Sequence, residues 1–187
     1  MEAFLVSTMV VGLAEIGDKT QILSLMLAAR FRRAPPILAG ILFATVANHA
    51  AAGLAGTFFG TLLTGALLRW LLGLSFLSFA VWALFPDRLG EEDCALGRRG
   101  AFVATLCAFF IAELGDKTQL ATIGLAARFD QFYWVVGGTT LGMMLANIPA
   151  VLIGGRLADR LPLKAIRLGA ALVFAGIGVL TLLGIGR

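Results

Sequence analysis

A short charged motif occurs twice in this chain, each time inside a long apolar stretch. The motif covers residues 15–21 (Glu-Ile-Gly-Asp-Lys-Thr-Gln) and recurs at residues 113–119 (Glu-Leu-Gly-Asp-Lys-Thr-Gln). The sequence around the two copies, residues 3–29 and 101–127, is long enough to cross a bilayer, which puts each motif near mid-membrane. A charge at the centre of a membrane helix costs roughly 2.5 to 3.5 kcal/mol. Three charges per copy must therefore be paired, hydrated or bound, and they predict a functional ion site.

The composition places the chain among membrane proteins. Of its 187 residues, 59% are hydrophobic and 14% are charged, and the mean hydropathy is +0.94. Soluble domains carry about 25% charged residues. The net charge of +4 comes mostly from basic residues in short loops, so we expect no nucleic-acid partner. Two cysteines without a CxxC pattern argue against a disulfide framework or a thiolate metal site.

Apolar segments predict an all-α polytopic membrane protein with six transmembrane helices. They cover residues 3–29, 36–63, 66–85, 101–127, 133–155 and 163–186.

The two halves of the chain are an internal duplication. Besides the motif, the Leu-Ala-Ala-Arg-Phe run at residues 27–31 recurs at residues 125–129. Three spans per half force the second half to enter the membrane upside down, and such inverted repeats are typical of secondary transporters with a midplane site. We predict a first three-helix repeat at residues 1–85, a cytoplasmic linker at 86–100 and a second, inverted three-helix repeat at 101–187.

Basic residues indicate the orientation, because they accumulate in cytoplasmic loops. Those after the first, third and fifth spans are Arg30, Arg32, Arg33, Arg88, Arg98, Arg99, Arg156, Arg160, Lys164 and Arg167. The opposite side holds only Arg69, Arg128 and Arg187. Both termini are therefore predicted on the non-cytoplasmic side.

The charges of the two motifs suggest that the protein exchanges a divalent cation for protons. The carboxylates are Glu15, Asp18, Glu113 and Asp116, and the predicted charge-pairing ammonium groups are Lys19 and Lys117. Two negative charges remain after pairing, and one divalent cation or two shared protons would neutralise them, since crowded carboxylates hold protons more tightly. Either load makes the buried site electroneutral, whereas the empty ionised site is penalised.

The motif geometry depends on its glycines. On a regular helix Glu15, Asp18 and Lys19 share one face, and Thr20 points away from it. Gly17 and its counterpart Gly115 either loosen the helix, which frees backbone carbonyls for a ligand, or allow close helix packing.

The candidate metal ligands offer oxygen, which suits Mg²⁺, Ca²⁺ and Mn²⁺. They are Glu15, Asp18, Glu113, Asp116, Gln21, Gln119, Asn48 and Asn147. Asn48 and Asn147, in the second and fifth spans, either bind the ion, orient the carboxylates or join two helices.

His49, the only histidine, either relays protons or makes an ordinary buried contact. Small-residue patterns at residues 56–60 and 138–142 predict close packing of these spans against the motif helices.

The doubled Glu-x-Gly-Asp-Lys-Thr motif, with each copy on the first span of a three-span half, resembles one family over nearly the whole chain. It is the cation/proton exchanger family that includes Golgi manganese/calcium transporters and bacterial manganese exporters. The resemblance implies a divalent-cation antiporter whose ligands are the four motif acids, with secondary polar contacts from Thr20, Thr118 and the two glutamines. The short chain favours a bacterial inner-membrane member.

The leading hypothesis is a secondary transporter that exports Mn²⁺, or Ca²⁺, in exchange for protons. Its partners would be the ion, protons and the lipid bilayer, with a homodimer left open and no cofactor, because the metal is the substrate. The alternative is a proton-coupled exporter of a small organic cation or amino acid, which should add an aromatic wall. A passive channel with an acidic ring and a structural membrane protein are further alternatives. An enzyme is not expected, because the loops are too short to build a pocket.

Overall fold

The computed structural model describes residues 1–63, 65–85, 100–153 and 163–184, and this part of the chain forms eight helices. They are α1 (Glu2–Glu15), α2 (Lys19–Phe31), α3 (Ala34–Leu62), α4 (Gly65–Ala83), α5 (Ala101–Glu113), α6 (Lys117–Phe129), α7 (Phe132–Ile153) and α8 (Leu163–Leu182). The predicted linker at residues 86–100 lies outside the described residues, apart from Gly100.

Two of the six predicted spans are each divided into two helices at the charged motif. Gly17 has φ 80° and Gly115 has φ 73°, in the left-handed region that ends a helix and that glycine adopts readily. A Cβ added at Gly115 would meet nothing within 4 Å, so conformation rather than close packing accounts for that glycine. The prediction that Glu15 and Asp18 share one face of a continuous helix is therefore wrong: Glu15 ends α1, and Asp18 is the N-cap of α2.

Within the described residues, three helices are individually long and apolar enough to cross a membrane: Ala34–Leu62, Gly65–Ala83 and Phe132–Leu152, with mean hydropathies of 1.7, 1.6 and 1.6. The 29-residue α3 is about 44 Å long at 1.5 Å per residue, which exceeds the roughly 30 Å of a hydrocarbon core. Shorter apolar helices cover Ala101–Glu113 and Leu168–Leu182.

The two larger apolar cores of the described residues hold the helices together, and both broken spans cross from one of these cores to the other. The first core combines α1, α4, α6 and α8, with Phe76 and Phe174 stacked at 6.5 Å between ring centroids. The second combines α2, α3 and α5 around the buried Phe109. Helix α7 contributes Val135 to the first core and Val151 to the second. Because α1 and α2 lie in different cores, as do α5 and α6, the motif breaks sit at the boundary between the cores.

Helices α7 and α3 each run alongside a broken span in the same direction. The paired positions are Phe4 with Gly138, Thr8 with Gly142 and Ser24 with Asn147 for α7, and Phe102 with Gly40, Phe110 with Asn48 and Ile123 with Gly56 for α3.

The predicted close packing of small residues is confirmed. A Cβ at Gly138 would lie 2.5 Å from the carbonyl oxygen of Phe4, and one at Gly60 would lie 3.1 Å from that of Ala127. Glycine at these positions lets α7 approach α1, and α3 approach α6, at backbone distance.

Adjacent glycines of α7 provide a matched test of this packing. Gly138→Ala should destabilise the protein by about 1 to 3 kcal/mol, because its methyl group would overlap the Phe4 carbonyl. Gly137→Ala should be neutral or stabilising by up to about 1 kcal/mol, because Gly137 is exposed, the nearest atom to its added Cβ is 3.7 Å away and alanine favours a helix. Denaturation of both variants in detergent micelles measures the difference, and equal stabilities would contradict the packing.

Candidate ion site

The two helix breaks bring buried carboxylates of both motifs together. Glu15, Glu113 and Asp116 each offer an oxygen, and these oxygens all lie within 4.8 Å of one another. Glu15 and Glu113 are completely buried, and Asp116 is 3% exposed. The cluster therefore joins the end of α1 to the second break, although the two glutamates are far apart in sequence.

Two ion pairs cross between the motifs. Lys117 Nζ donates to Asp18 Oδ1 at 2.9 Å, and Lys19 Nζ lies 3.3 Å from Asp116 Oδ1. The Lys117 side chain is 6% exposed and the Lys19 side chain is 18% exposed, so the pair that contains Lys117 is the more deeply buried. Each motif thus supplies the cation that neutralises an aspartate of the other.

Glu15 and Glu113 are the two motif carboxylates that take part in neither ion pair. Both oxygens of Glu15 and Oε1 of Glu113 are buried without a hydrogen-bond partner among the described residues. A buried charge without hydrogen bonds or a counter-ion is strongly penalised. These two side chains must therefore carry protons or face a cation.

Thr118 organises the second motif. Its Oγ1 lies 3.0 Å from Glu113 Oε2 and 3.3 Å from Asp116 Oδ2, and its backbone N–H donates to Asp116 Oδ2 at 3.4 Å. The hydroxyl thereby links two of the three clustered carboxylates. Thr20, at the matching position of the first motif, is also buried, but its hydroxyl has no hydrogen-bond partner within the described structure.

The motif glutamines hold the helix breaks. Gln21 Oε1 accepts the Gly17 N–H at 2.9 Å, and Gln119 Oε1 accepts the Gly115 N–H at 2.7 Å. Gln21 Nε2 also donates to the carbonyl of Ala146 in α7 at 3.0 Å. A turn in the left-handed region exposes a backbone amide that these side chains satisfy. Their predicted role as ion ligands stays a prediction.

The two asparagines occupy different environments. Asn147 Oδ1 accepts from Ser24 Oγ at 2.7 Å, and Asn147 Nδ2 donates to the Met143 carbonyl at 3.1 Å. Asn48 Nδ2 instead donates to the Phe110 carbonyl of α5 at 3.1 Å. Sequence reasoning missed Ser24, although it follows Gln21 by almost one helical turn and so shares the motif's side of α2. Ligation of the ion by either asparagine stays a prediction.

His49 is fully buried in α3, and neither of its ring nitrogens has a hydrogen-bond partner within the described ranges. Its predicted part in proton transfer stays a prediction.

A test of the break itself follows from Gly115. Gly115→Ala should weaken transport and lower stability by about 1 to 2 kcal/mol, because a Cβ strains the left-handed conformation even where it meets no neighbour. Gly176→Ala is the control, since a Cβ there also meets nothing within 4 Å, while Gly176 is exposed inside α8 and its φ lies outside the left-handed region. Transport and unfolding of both purified variants measure the effect. Equal behaviour would show that the break does not need a glycine.

Comparison with known proteins assigns the family. The sequence profile of the divalent cation/proton antiporter GDT1 matches residues 3–91 and 101–186, which leaves only residues 1–2, 92–100 and 187 unmatched. This chain belongs to the GDT1 family. The members of this family are membrane cation/proton antiporters rather than enzymes, which confirms both the resemblance of the doubled motif and the expectation of a transporter.

Relatives of this GDT1-family protein include bacterial and eukaryotic members. A Vibrio cholerae protein named as a manganese exporter is 52% identical over 168 residues, which cover 89% of this chain and 84% of that protein. A GDT1-like protein of Synechocystis is 28% identical over 93% of both chains. The divalent cation/proton antiporter GDT1 of Saccharomyces cerevisiae is 22% identical over 93% of this chain and 81% of its own. No solved structure matches this chain significantly.

Proposed function

We propose that this protein exports Mn²⁺ in exchange for protons and binds the ion between its two charged motifs. The observation that carries the proposal is the buried cluster of Glu15, Glu113 and Asp116, to which both motifs contribute. Oxygens within 4.8 Å of one another suit a bare ion, since metal–oxygen distances of about 2.0 to 2.6 Å put opposite ligands about 4 to 5 Å apart. A small organic cation would need a wider site.

Charge balance makes exchange the natural activity of this cluster. The crossed ion pairs of Lys19 and Lys117 neutralise two carboxylates, so Glu15 and Glu113 carry the remaining two negative charges. One Mn²⁺ neutralises them, and so do two protons. We infer that the protein moves loaded with one or the other, which couples outward metal to inward protons.

The ligand chemistry and the relatives support Mn²⁺ as the substrate. The cluster offers carboxylate oxygens, which suit Mn²⁺, Ca²⁺ and Mg²⁺. The Vibrio cholerae relative is named for manganese, and its 52% identity makes Mn²⁺ our first choice over Ca²⁺. Asp18, the asparagines and the glutamines remain proposed ligands or supports, with Thr20 and Thr118 as secondary contacts.

The architecture that we propose is two inverted three-helix repeats at residues 1–85 and 101–187, joined by the cytoplasmic linker. Helix α7 runs parallel to the first broken span and α3 runs parallel to the second, as expected when the second half enters the membrane upside down. Alternating access would come from rocking of the two apolar cores, because the ion site lies at their boundary. The bacterial inner membrane, with both termini on the non-cytoplasmic side, is the proposed location.

Flux into proteoliposomes tests the function. Vesicles with an acidic lumen and purified protein should take up Mn²⁺ and become alkaline inside, because protons leave as the metal enters. Exchange of two protons per Mn²⁺ is electroneutral, so clamping the membrane potential should not change the rate. Protein-free vesicles and vesicles with a collapsed pH gradient are the controls. Mn²⁺ uptake without proton counterflow, or uptake of Ca²⁺ alone, would refute the proposal.

A further inference from the structure

The two halves of the antiporter differ in one pair of polar contacts. Ser24 of α2 and Asn147 of α7 are joined at 2.7 Å, and we call this contact the first latch. Their counterparts are Thr122, which also lies three residues after the motif glutamine, and Asn48, which also follows an alanine.

The counterpart contact is not formed in this state. Thr122 Oγ1 donates to the Thr118 carbonyl of its own helix at 2.8 Å, and Asn48 donates to the Phe110 carbonyl. Both side chains are completely or almost completely buried. We call the unformed contact between Asn48 and Thr122 the second latch.

The two motifs also differ in the hydrogen bonds that their threonines make. In the second motif, where the latch is open, Thr118 bonds to Glu113 and Asp116. In the first motif, where the latch is closed, the Thr20 hydroxyl and both Glu15 oxygens have no hydrogen-bond partner in the described part of the chain. The second motif is thus held by hydrogen bonds among its own residues, whereas α2, which follows the first motif, is held by a hydrogen bond to α7.

We propose that Ser24–Asn147 and Asn48–Thr122 are alternating latches: the first is closed in this state, and the second closes in the state open to the opposite side of the membrane. Two inverted repeats interconvert their states by exchanging roles, so a contact made by one repeat in one state is made by the other in the next. Closing the second latch requires the Thr122 hydroxyl to break its hydrogen bond within α6. It also requires the Asn48 amide to break its hydrogen bond to the Phe110 carbonyl. The inference rests on the proposed alternating access. It makes Ser24 and Thr122 positioning residues rather than ion ligands.

Paired cysteines test both latches in one background. In Cys94→Ala/Cys107→Ala protein, S24C/N147C places a thiol pair at the first latch, and N48C/T122C places one at the second. Copper phenanthroline should close a disulfide in each, seen as the loss of two thiols available to maleimide polyethylene glycol after denaturation. Each closed disulfide should reduce Mn²⁺ flux to the level of protein-free vesicles, and reduction with dithiothreitol should restore the flux that the same variant had before oxidation. Single Ser24→Cys and Thr122→Cys variants, treated with the same oxidant, should keep their flux.

Coupling between the latches provides a measurement that does not depend on flux. Ser24→Ala in the N48C/T122C protein removes the first latch, so its second-latch disulfide should form about two- to twelvefold faster, the population shift expected from one hydrogen bond. Thiols that persist in N48C/T122C, flux that continues in oxidised S24C/N147C, or an unchanged rate after Ser24→Ala would each overturn the latches. A reduced cysteine-free protein without Mn²⁺ flux would instead refute manganese export, while the thiol counts would still decide on the latches.

Discussion

Glu15→Gln should stop Mn²⁺ export while leaving the protein at least as stable as the parent. The substitution keeps the size of the side chain but removes one of the two charges that the metal neutralises. It also removes a buried carboxylate whose oxygens have no hydrogen-bond partner in the described structure, a group that is costly to bury in ionised form. Loss of activity with unchanged or increased stability is what we expect of a site that sacrifices stability for function.

Glu2→Gln in the same helix is the matched control, because Glu2 is exposed in the first turn of α1. Metal-dependent flux and thermal unfolding should be measured on the same preparations. The parent should also be stabilised by Mn²⁺, because a ligand that binds the folded state raises its stability, and Glu15→Gln should lose that stabilisation. Normal Mn²⁺ flux in the Glu15→Gln variant would show that the carboxylate cluster is not the ion site.

The crossed ion pairs give the second large expected effect. Asp18→Asn removes the carboxylate that lies 2.9 Å from the Lys117 ammonium, and loss of one partner of a buried pair typically costs about 3 to 5 kcal/mol. The double variant Asp18→Asn/Lys117→Met should recover most of that stability, because no buried charge remains at this pair. Transport should stay absent in both variants, because the charge balance between the motifs is broken.

The ion pair between Lys19 and Asp116 provides the comparison for these stability measurements. Lys19 is more exposed than Lys117, so water can solvate it when Asp116 is replaced, and Asp116→Asn should destabilise the protein less than Asp18→Asn. Unfolding of the three variants and the parent in one detergent gives the ranking. A stable Asp18→Asn protein that still exports Mn²⁺ would contradict both the pairing and its role.

The helix breaks show where local reasoning about the sequence stopped. A run of good helix formers with one glycine is compatible with a continuous helix, and Gly17 left two interpretations open. The conformation depends on Gln21, whose side chain returns to accept the Gly17 amide. That contact is local and present in both motifs, so glutamine four residues after glycine was a signal in the sequence.

The pairing of the charges could not have been read from the sequence. Lys19 lies next to Asp18 in the chain, yet it pairs with Asp116, while Lys117 takes Asp18. Neighbouring residues at a helix start point in different directions, so adjacency in sequence predicts no contact. Only the meeting of the two breaks decides which carboxylates the lysines neutralise and which remain for an ion.

The sequence by itself determined that the chain is an apolar, duplicated membrane protein with one charged motif per half, and these motifs alone were specific enough to indicate its family. The cost of charge in lipid makes that inference independent of atomic detail. The tertiary structure decided that Glu15, Glu113 and Asp116 share one cluster, that the ion pairs cross, and that Ser24 binds Asn147. These contacts join residues that are distant in sequence, and the packing of the two apolar cores determines their distances.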